Sequence, residues 1–96
     1  MKRRSESMVT RDILAWLNSL PGCHAIKRHG DPYGRVGEAD ITGCLGGRRI
    51  EIEVKTWQRH ATPLQAIRLE EWRKAGAIVG VAHSVEEAQA ILKNHD

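Results

Sequence analysis

Asp40, Glu53 and Lys55 are the residues whose types and spacing could do chemistry in this chain. Residues 49–56 alternate, so Ile50, Ile52 and Val54 point to one side of a strand while Glu51, Glu53 and Lys55 point to the other. Residues 39–43 alternate in the same way, and Gly46-Gly47 between the two segments is a hairpin signal that makes them antiparallel neighbours. An aspartate and a glutamate converging from paired strands, with a lysine two residues past the glutamate, are the groups needed to hold a divalent cation and hydrolyse a phosphodiester. Hard oxygen donors select Mg²⁺ or Mn²⁺, held by the carboxylates of Asp40 and Glu53 and the backbone carbonyl of Val54. Lys55 then stabilises developing negative charge or orients water. Asp40 alone would read as a turn residue; the three charges on one surface argue for a site. Glu51 lies one pleat period, roughly 6.5–7 Å, from Glu53 and reads as a solvated strand residue.

The elements that must position these groups follow from local signals. Ser5 is an N-cap, and Val9, Ile13, Trp16, Leu17 and Leu20 recur at helical spacing until Pro21-Gly22. Residues 23–28 read as a first strand and residues 29–34 as a loop, followed by the hairpin over 38–56. Thr62-Pro63-Leu64-Gln65 is a capping box with proline at the first helical position, opening a helix that Gly76 stops. Residues 77–82 form a small-apolar run expected as a strand buried on both faces, and Ser84-Val85-Glu86-Glu87 is a second capping box for the last helix. The expected architecture is α/β, in the order αβββαβα, with a mixed sheet flanked by helices over a single domain, 1–96.

Composition narrows the function classes. At 96 residues the chain has room for one core, and a net charge of +3 spread along its length favours an acidic partner. Cys23 and Cys44 lie in no CxxC pair, no signal peptide is visible, and no apolar run is long enough for a membrane, so the chain reads as soluble and intracellular with reduced thiols. The five histidines and two cysteines lack the short fixed spacing of a structural zinc site. Trp16 and Trp72 fall at apolar helix positions and are expected in the core; Trp57 either packs under the second helix or stacks on nucleic acid, with packing favoured.

Gly37-Glu38-Ala39-Asp40-Ile41, Ile52-Glu53-Val54-Lys55, Thr62-Pro63-Leu64-Gln65 and the later Gly76 together resemble the VRR-NUC domain of the PD-(D/E)XK nuclease superfamily. The resemblance covers nearly the whole chain and implies a restriction-endonuclease-like core, metal-dependent DNA cleavage and, for compact stand-alone members typical of phages, homodimers that resolve Holliday junctions. The family pattern has proline before the aspartate; Ala39 departs from it, which removes stiffness and no ligand. By the same resemblance Glu6 matches a helix-one glutamate that completes the metal site, although a first-turn glutamate also simply opposes the helix dipole. Gln65 matches a glutamine that faces the site, although the capping box also accounts for it. Glu38 shares strand parity with Asp40 and is a further ligand or a solvated strand-entry residue.

Lys27, Arg35, Arg48, Arg59 and His60 flank the site in sequence and are candidates for phosphate contacts, with Arg49 beside them. The resulting expectation is an Mg²⁺- or Mn²⁺-dependent endodeoxyribonuclease acting on DNA, with branched four-way junctions as substrates cut by a homodimer. The alternatives are a basic DNA-binding module that does not cut and a restriction-type, sequence-specific nuclease. The first gains nothing from carboxylates that repel phosphate unless a cation covers them; the second needs a separate base-reading module, for which 96 residues are expected to leave too little chain.

Overall fold

A computed structural model describes residues 4–29 and 34–95. The order is α1 (Glu6–Ser19), β1 (Cys23–Lys27), β2 (Ile41–Leu45), β3 (Arg48–Val54), α2 (Pro63–Lys74), β4 (Ile78–Ala82) and α3 (Val85–Lys93). The strands lie in the order β1-β2-β3-β4, antiparallel through the first three and parallel between β3 and β4. This is the expected α/β arrangement with a mixed sheet, because the turn at Gly46-Gly47 forces an antiparallel return and the α2 crossover forces a parallel one.

The alternation of β3 separates the two faces of the sheet. Ile50, Ile52 and Val54 are fully buried, packing with Val9, Ile13 and Leu17 of α1 and Ala88 and Leu92 of α3. Helix α2 crosses the opposite face, where its Trp72 lies under the Arg49 guanidinium. That face carries Glu51, Glu53 and Lys55, all of them buried. Covering charge with a helix requires that each charge find a partner, and this requirement shapes the site.

The helix starts form as their sequences direct. Ser5 Oγ accepts from the Met8 amide, and Thr62 and Gln65 close a reciprocal capping box. At α3 only half of the expected box forms. Ser84 Oγ accepts from the Glu87 amide, but the Glu87 carboxylate turns to the amide and ring of His83 instead. Strand β4 is an edge strand rather than one buried on both faces: Ile78 and Ala82 are buried, while Val79 and Val81 are only partly covered.

Two strand glycines mark close approaches. A Cβ on Gly43 would stand 2.4 Å from the His24 carbonyl oxygen and 2.7 Å from the Ala25 Cα, which are backbone atoms that cannot rotate away. The three atoms nearest to one on Gly80 all belong to the Ile91 side chain, the first at 2.5 Å. Gly43→Ala is therefore expected to cost about 3 kcal/mol or more by separating β1 from β2, and Gly80→Ala clearly less as Ile91 changes rotamer. Urea denaturation of the two variants checks the order, and equal costs would refute the backbone-contact argument.

Candidate active site

Asp40 sits in a bend immediately before β2. The register Ile41↔Ile52 and Thr42↔Glu51 sets it opposite Glu53 on the α2 side of the sheet. Arg28 holds this approach. Its amide donates to the Asp40 carbonyl at 2.6 Å and its guanidinium to the Ala39 carbonyl at 2.8 Å. Upstream, Gly37 has φ +88 and packs so close to α2 that a Cβ would stand 2.7 Å from Leu64 Cγ, while Arg68 Nε donates to the Val36 carbonyl at 3.2 Å. The aspartate is thus delivered by a segment tied to both β1 and α2. Arg28 thereby holds Ala39, the residue before Asp40.

The carboxylates interlock through the backbone. Asp40 Oδ2 accepts from the Val54 amide at 2.8 Å, and Glu53 Oε1 accepts from the Asp40 amide at 3.2 Å. Lys55 Nζ lies 3.5 Å from Glu53 Oε2, with its side chain 11% exposed. Burial pushes the Glu53 carboxyl up to about 8, with hydrogen bonding to and repulsion from Asp40 adding to the rise and Lys55 opposing it. One lysine therefore does not compensate two converging carboxylates. A hard divalent cation fits this donor set, since both carboxyls are oxygen donors and an added positive charge relieves the repulsion that keeps a proton on Glu53.

Glu51 shows the opposite condition on the same strand face. It is fully buried, not solvated as its strand position led us to expect. Arg28 meets its carboxylate through two nitrogens at 2.9 and 3.3 Å, Arg49 Nε adds a third donor at 2.9 Å, and the Thr42 hydroxyl a fourth. Arg28 also reaches Glu38 at 3.5 Å. Glu38 is partly buried rather than solvated, its side chain 9% exposed. It accepts from Trp72 Nε1 at 3.0 Å, while its Oε1 lies 3.8 Å from Arg35 and has no hydrogen-bond partner among the described residues. Trp72, expected in the apolar core, belongs instead to this polar layer. Sequence reasoning missed Arg28. The available signal was parity, since Arg28 continues the His24-Ile26 side of β1 and so faces Glu51.

The other sequence candidates separate in space. Glu6 is exposed in the first turn of α1, and among the described residues no three His, Cys, Asp or Glu side chains gather as a metal-holding group, so Glu6 is not brought to the carboxylate pair. Gln65 Oε1 accepts from the Thr62 amide at 2.9 Å, the contact its capping role requires. Lys27 pairs with Ile41 and so belongs to the apolar side of the sheet, opposite the pair. Arg48 lies at the far end of β3, roughly 16 Å of strand from Glu53, and donates to the Gly76 carbonyl at 2.9 Å. Arg35 is 3.2 Å from Glu71 of α2. Arg59 and His60 are exposed on the segment between β3 and α2 that follows Lys55. Trp57, on the same segment, is 58% exposed and does not pack under α2 as expected.

No protein-family model matches the sequence, and no curated protein does. Solved structures do match. The chain is similar to a structure described as a VRR_NUC domain, with 26% identity and a TM-score of 0.76 over 95% of this chain and 97% of that one. It is also similar to one described as a VRR_NUC domain protein, with 19% identity and a TM-score of 0.72 over 96% and 88% of the two chains. The αβββαβα arrangement is the VRR-NUC nuclease fold, and the resemblance drawn from the four sequence motifs is supported over nearly the full chain.

The contrast between the two buried glutamates makes opposite predictions for the same substitution. Glu53 takes its proton at about 8 in the folded protein against an ordinary 4.5, so its contribution is fully present below about pH 4.5 and is lost as pH rises through about 8. In EDTA, Glu53→Gln should remove this loss and leave the protein more stable than the parent at pH 8.5. Glu51→Gln should destabilise at every pH by about 3 kcal/mol, because Arg28 and Arg49 lose their shared anion. Urea denaturation across pH 5 to 9 checks both, and a destabilised Glu53→Gln at pH 8.5 would show that the carboxylate pair is already compensated.

Proposed function

We propose that this chain is a metal-dependent DNA endonuclease whose centre is Asp40, Glu53 and Lys55. The observation that supports this reading is the converging carboxylate pair with too little positive charge, beside a buried lysine, on a fold shared with VRR_NUC domain structures. A protein that only bound DNA would gain nothing from such a pair, since bare carboxylates repel phosphate.

Asp40 and Glu53 would hold Mg²⁺ or Mn²⁺, with the Val54 carbonyl as a further oxygen donor. When bound, the ion supplies the positive charge that acidifies water and neutralises a phosphate oxygen. The chain's own groups do the rest. Asp40 is oriented by the Val54 amide, which donates to its Oδ2. Lys55, freed from Glu53 once the carboxylate is otherwise compensated, is placed to stabilise charge developing on the scissile phosphate. Water adds to phosphorus, one phosphorus–oxygen bond breaks, and the departing alkoxide takes up a proton. Arg59 and His60 on the following segment are the candidates for backbone phosphate contacts.

The branched-substrate reading extends the same site. Symmetric resolution of a four-way junction needs two cuts on strands of like polarity, and one chain offers one such centre. A two-fold homodimer would present two centres in related orientations. Light scattering and cleavage of labelled junction, flap, single-stranded and linear DNA test this, with a dimer and preferred junction cleavage expected. A monomer, or equal cutting of junction and linear duplex, would leave a general nuclease.

For the chemistry itself, cleavage should require Mg²⁺ or Mn²⁺ and stop in EDTA. Asp40→Ala and Glu53→Gln should each lower the rate by about 10³-fold or more, with Mn²⁺ affinity reduced in calorimetry. Lys55→Ala should lower the rate by about 10²-fold or more while Mn²⁺ still binds. Full cleavage by Asp40→Ala would falsify the assignment of the centre, and DNA binding without cutting by the parent protein would favour a non-catalytic module.

A further inference from the structure

The segment between β3 and α2 runs from Lys55 to Thr62 with no helix or strand of its own, yet it carries Arg59 and His60. It turns at Trp57, which adopts φ +54, and a non-glycine residue keeps such a conformation where its surroundings impose it. Backbone bonds tie the turn at two points. The Lys55 amide donates to the Ala82 carbonyl at 3.1 Å, and the Arg59 amide closes back onto the Thr56 carbonyl at 3.1 Å. A side chain from outside the segment then meets the Arg59 carbonyl, with His83 Nε2 2.6 Å from its oxygen. His83 stands between β4 and the Ser84 cap of α3, and its Nδ1 lies 2.7 Å from Glu87 Oε1. Glu87 leaves the α3 capping box half formed to make this contact.

The two partners decide the state of the ring. A carbonyl oxygen and an ionised carboxylate can only accept, so a ring held between them must donate from both nitrogens. Neutral imidazole has one N–H and serves one partner, leaving lone pair against lone pair at the other. The geometry therefore calls for the imidazolium. The Arg59 carbonyl is the largest cause pushing the His83 ring above its ordinary 6.5, Glu87 adds to the rise and burial opposes it. The bond to His83 in turn holds the Glu87 carboxyl below its usual range, so Glu87 does not supply the missing proton. Glu87 is the charge that faces the ring from α3; the segment presents a backbone carbonyl, and the Lys55 ammonium at the end of β3 is turned to Glu53.

We infer that His83 is a positioning residue, a charged strap between Glu87 and the Arg59 carbonyl that holds Arg59 and His60 in place after Lys55 and slackens when the ring loses its proton. The inference rests on the nuclease reading and adds a regulation of that site: the grip on the DNA backbone weakens as pH rises. A histidine that holds its proton more tightly in the fold contributes fully below its ordinary 6.5, and the contribution is lost as pH rises through the higher folded value. Above that value the neutral ring keeps one contact and drops the other. The turn then loses one of the restraints that impose it.

The test uses the full chain carrying Asp40→Asn, alone and with His83→Gln or Glu87→Gln added. NMR of the His83 ring in the DNA-free protein should show both nitrogens protonated at pH 7, and a neutral ring there would overturn the strap. Binding of a labelled linear duplex in Mg²⁺ is then compared between the three proteins at pH 6 and pH 9, where the titrations of Glu53 and His60 are common to all and cancel. At pH 6, His83→Gln should bind about fivefold more weakly than the Asp40→Asn protein, the scale of one hydrogen bond, and at pH 9 the two should bind alike. Glu87→Gln lets its amide donate to Nδ1 while Nε2–H still donates to the Arg59 carbonyl, so a neutral ring spans both partners. At pH 9 this variant should bind about fivefold more tightly than the Asp40→Asn protein, and at pH 6 alike. A role in stability alone shifts the unfolding midpoint and leaves these ratios at one. Unchanged binding by His83→Gln at pH 6 would overturn the positioning role, as would a gain by Glu87→Gln that is equal at both pH values, which the removed charge alone produces. Failure of the Asp40→Asn protein to bind any DNA removes the nuclease reading, while the ring measurement still decides the strap.

Discussion

The presence of two buried glutamates on one face of β3 is the constraint from which the polar layer follows. Glu51 and Glu53 occupy equivalent positions of the pleat, one repeat apart, and both are out of solvent. Around Glu51 the chain places Arg28, Arg49 and Thr42, so the charge is met by donors on several sides. Around Glu53 it places another carboxylate and one lysine. A buried anion left in the second condition keeps a proton or recruits a cation, and the direction of the Glu53 shift expresses this. Burial is the largest cause of that rise, and Asp40 adds to it. Both glutamates are buried, and they differ in what surrounds them.

Arg28 links the two environments. By pairing with Glu51 it is held against the sheet, and from there its guanidinium and amide grip the carbonyls of Ala39 and Asp40. Structural compensation at one glutamate therefore becomes positional control at the other. A proline before Asp40 would stiffen the same bend through its fixed φ; an arginine on the neighbouring strand achieves restraint through hydrogen bonds. With Ala39 in this bend, Arg28 supplies the restraint and Asp40 stands opposite Glu53.

The strength of the local signals decides how much could be read from the sequence. Strict alternation in β3, paired glycines at the hairpin and proline-bearing capping sequence at α2 are short-range effects, and they specify the element order and the meeting of Asp40 with Glu53. Burial of the polar face is a long-range effect. It depends on α2 crossing over Glu51, and α2 has almost no apolar stripe to announce that it covers a face; its Trp72 lies among charges. Hence Glu51 and Glu38 read as solvated, and Arg28 did not stand out from the other cations. Proximity in sequence also misled for Arg48 and Lys27: the first is separated from Glu53 by the length of an extended strand, and the second by the alternation that sends neighbours to opposite faces. Positive φ at Trp57 follows from the path of the β3 to α2 connection and has no counterpart in residue type.

The proposed centre rests on the carboxylate pair and not on the concavity beside it. A broad open concavity lies over β1 and β2, lined by His24, Ile26, Thr42, Cys44 and Arg49. Its guanidinium already serves Glu51 and the Trp72 ring, and its lining contains no carboxylate. It offers shape without a reactive group. Small-molecule enzymes need enclosure because they must surround their substrate to orient it. A polymer is oriented instead by repeated contacts along its backbone, so the reacting groups need only stand where one phosphate passes. The proposed centre of Asp40, Glu53 and Lys55 would meet that requirement at the end of β3, where the strand gives way to the turn carrying Trp57, Arg59 and His60. Charge chemistry and strand geometry locate this centre better than concavity does.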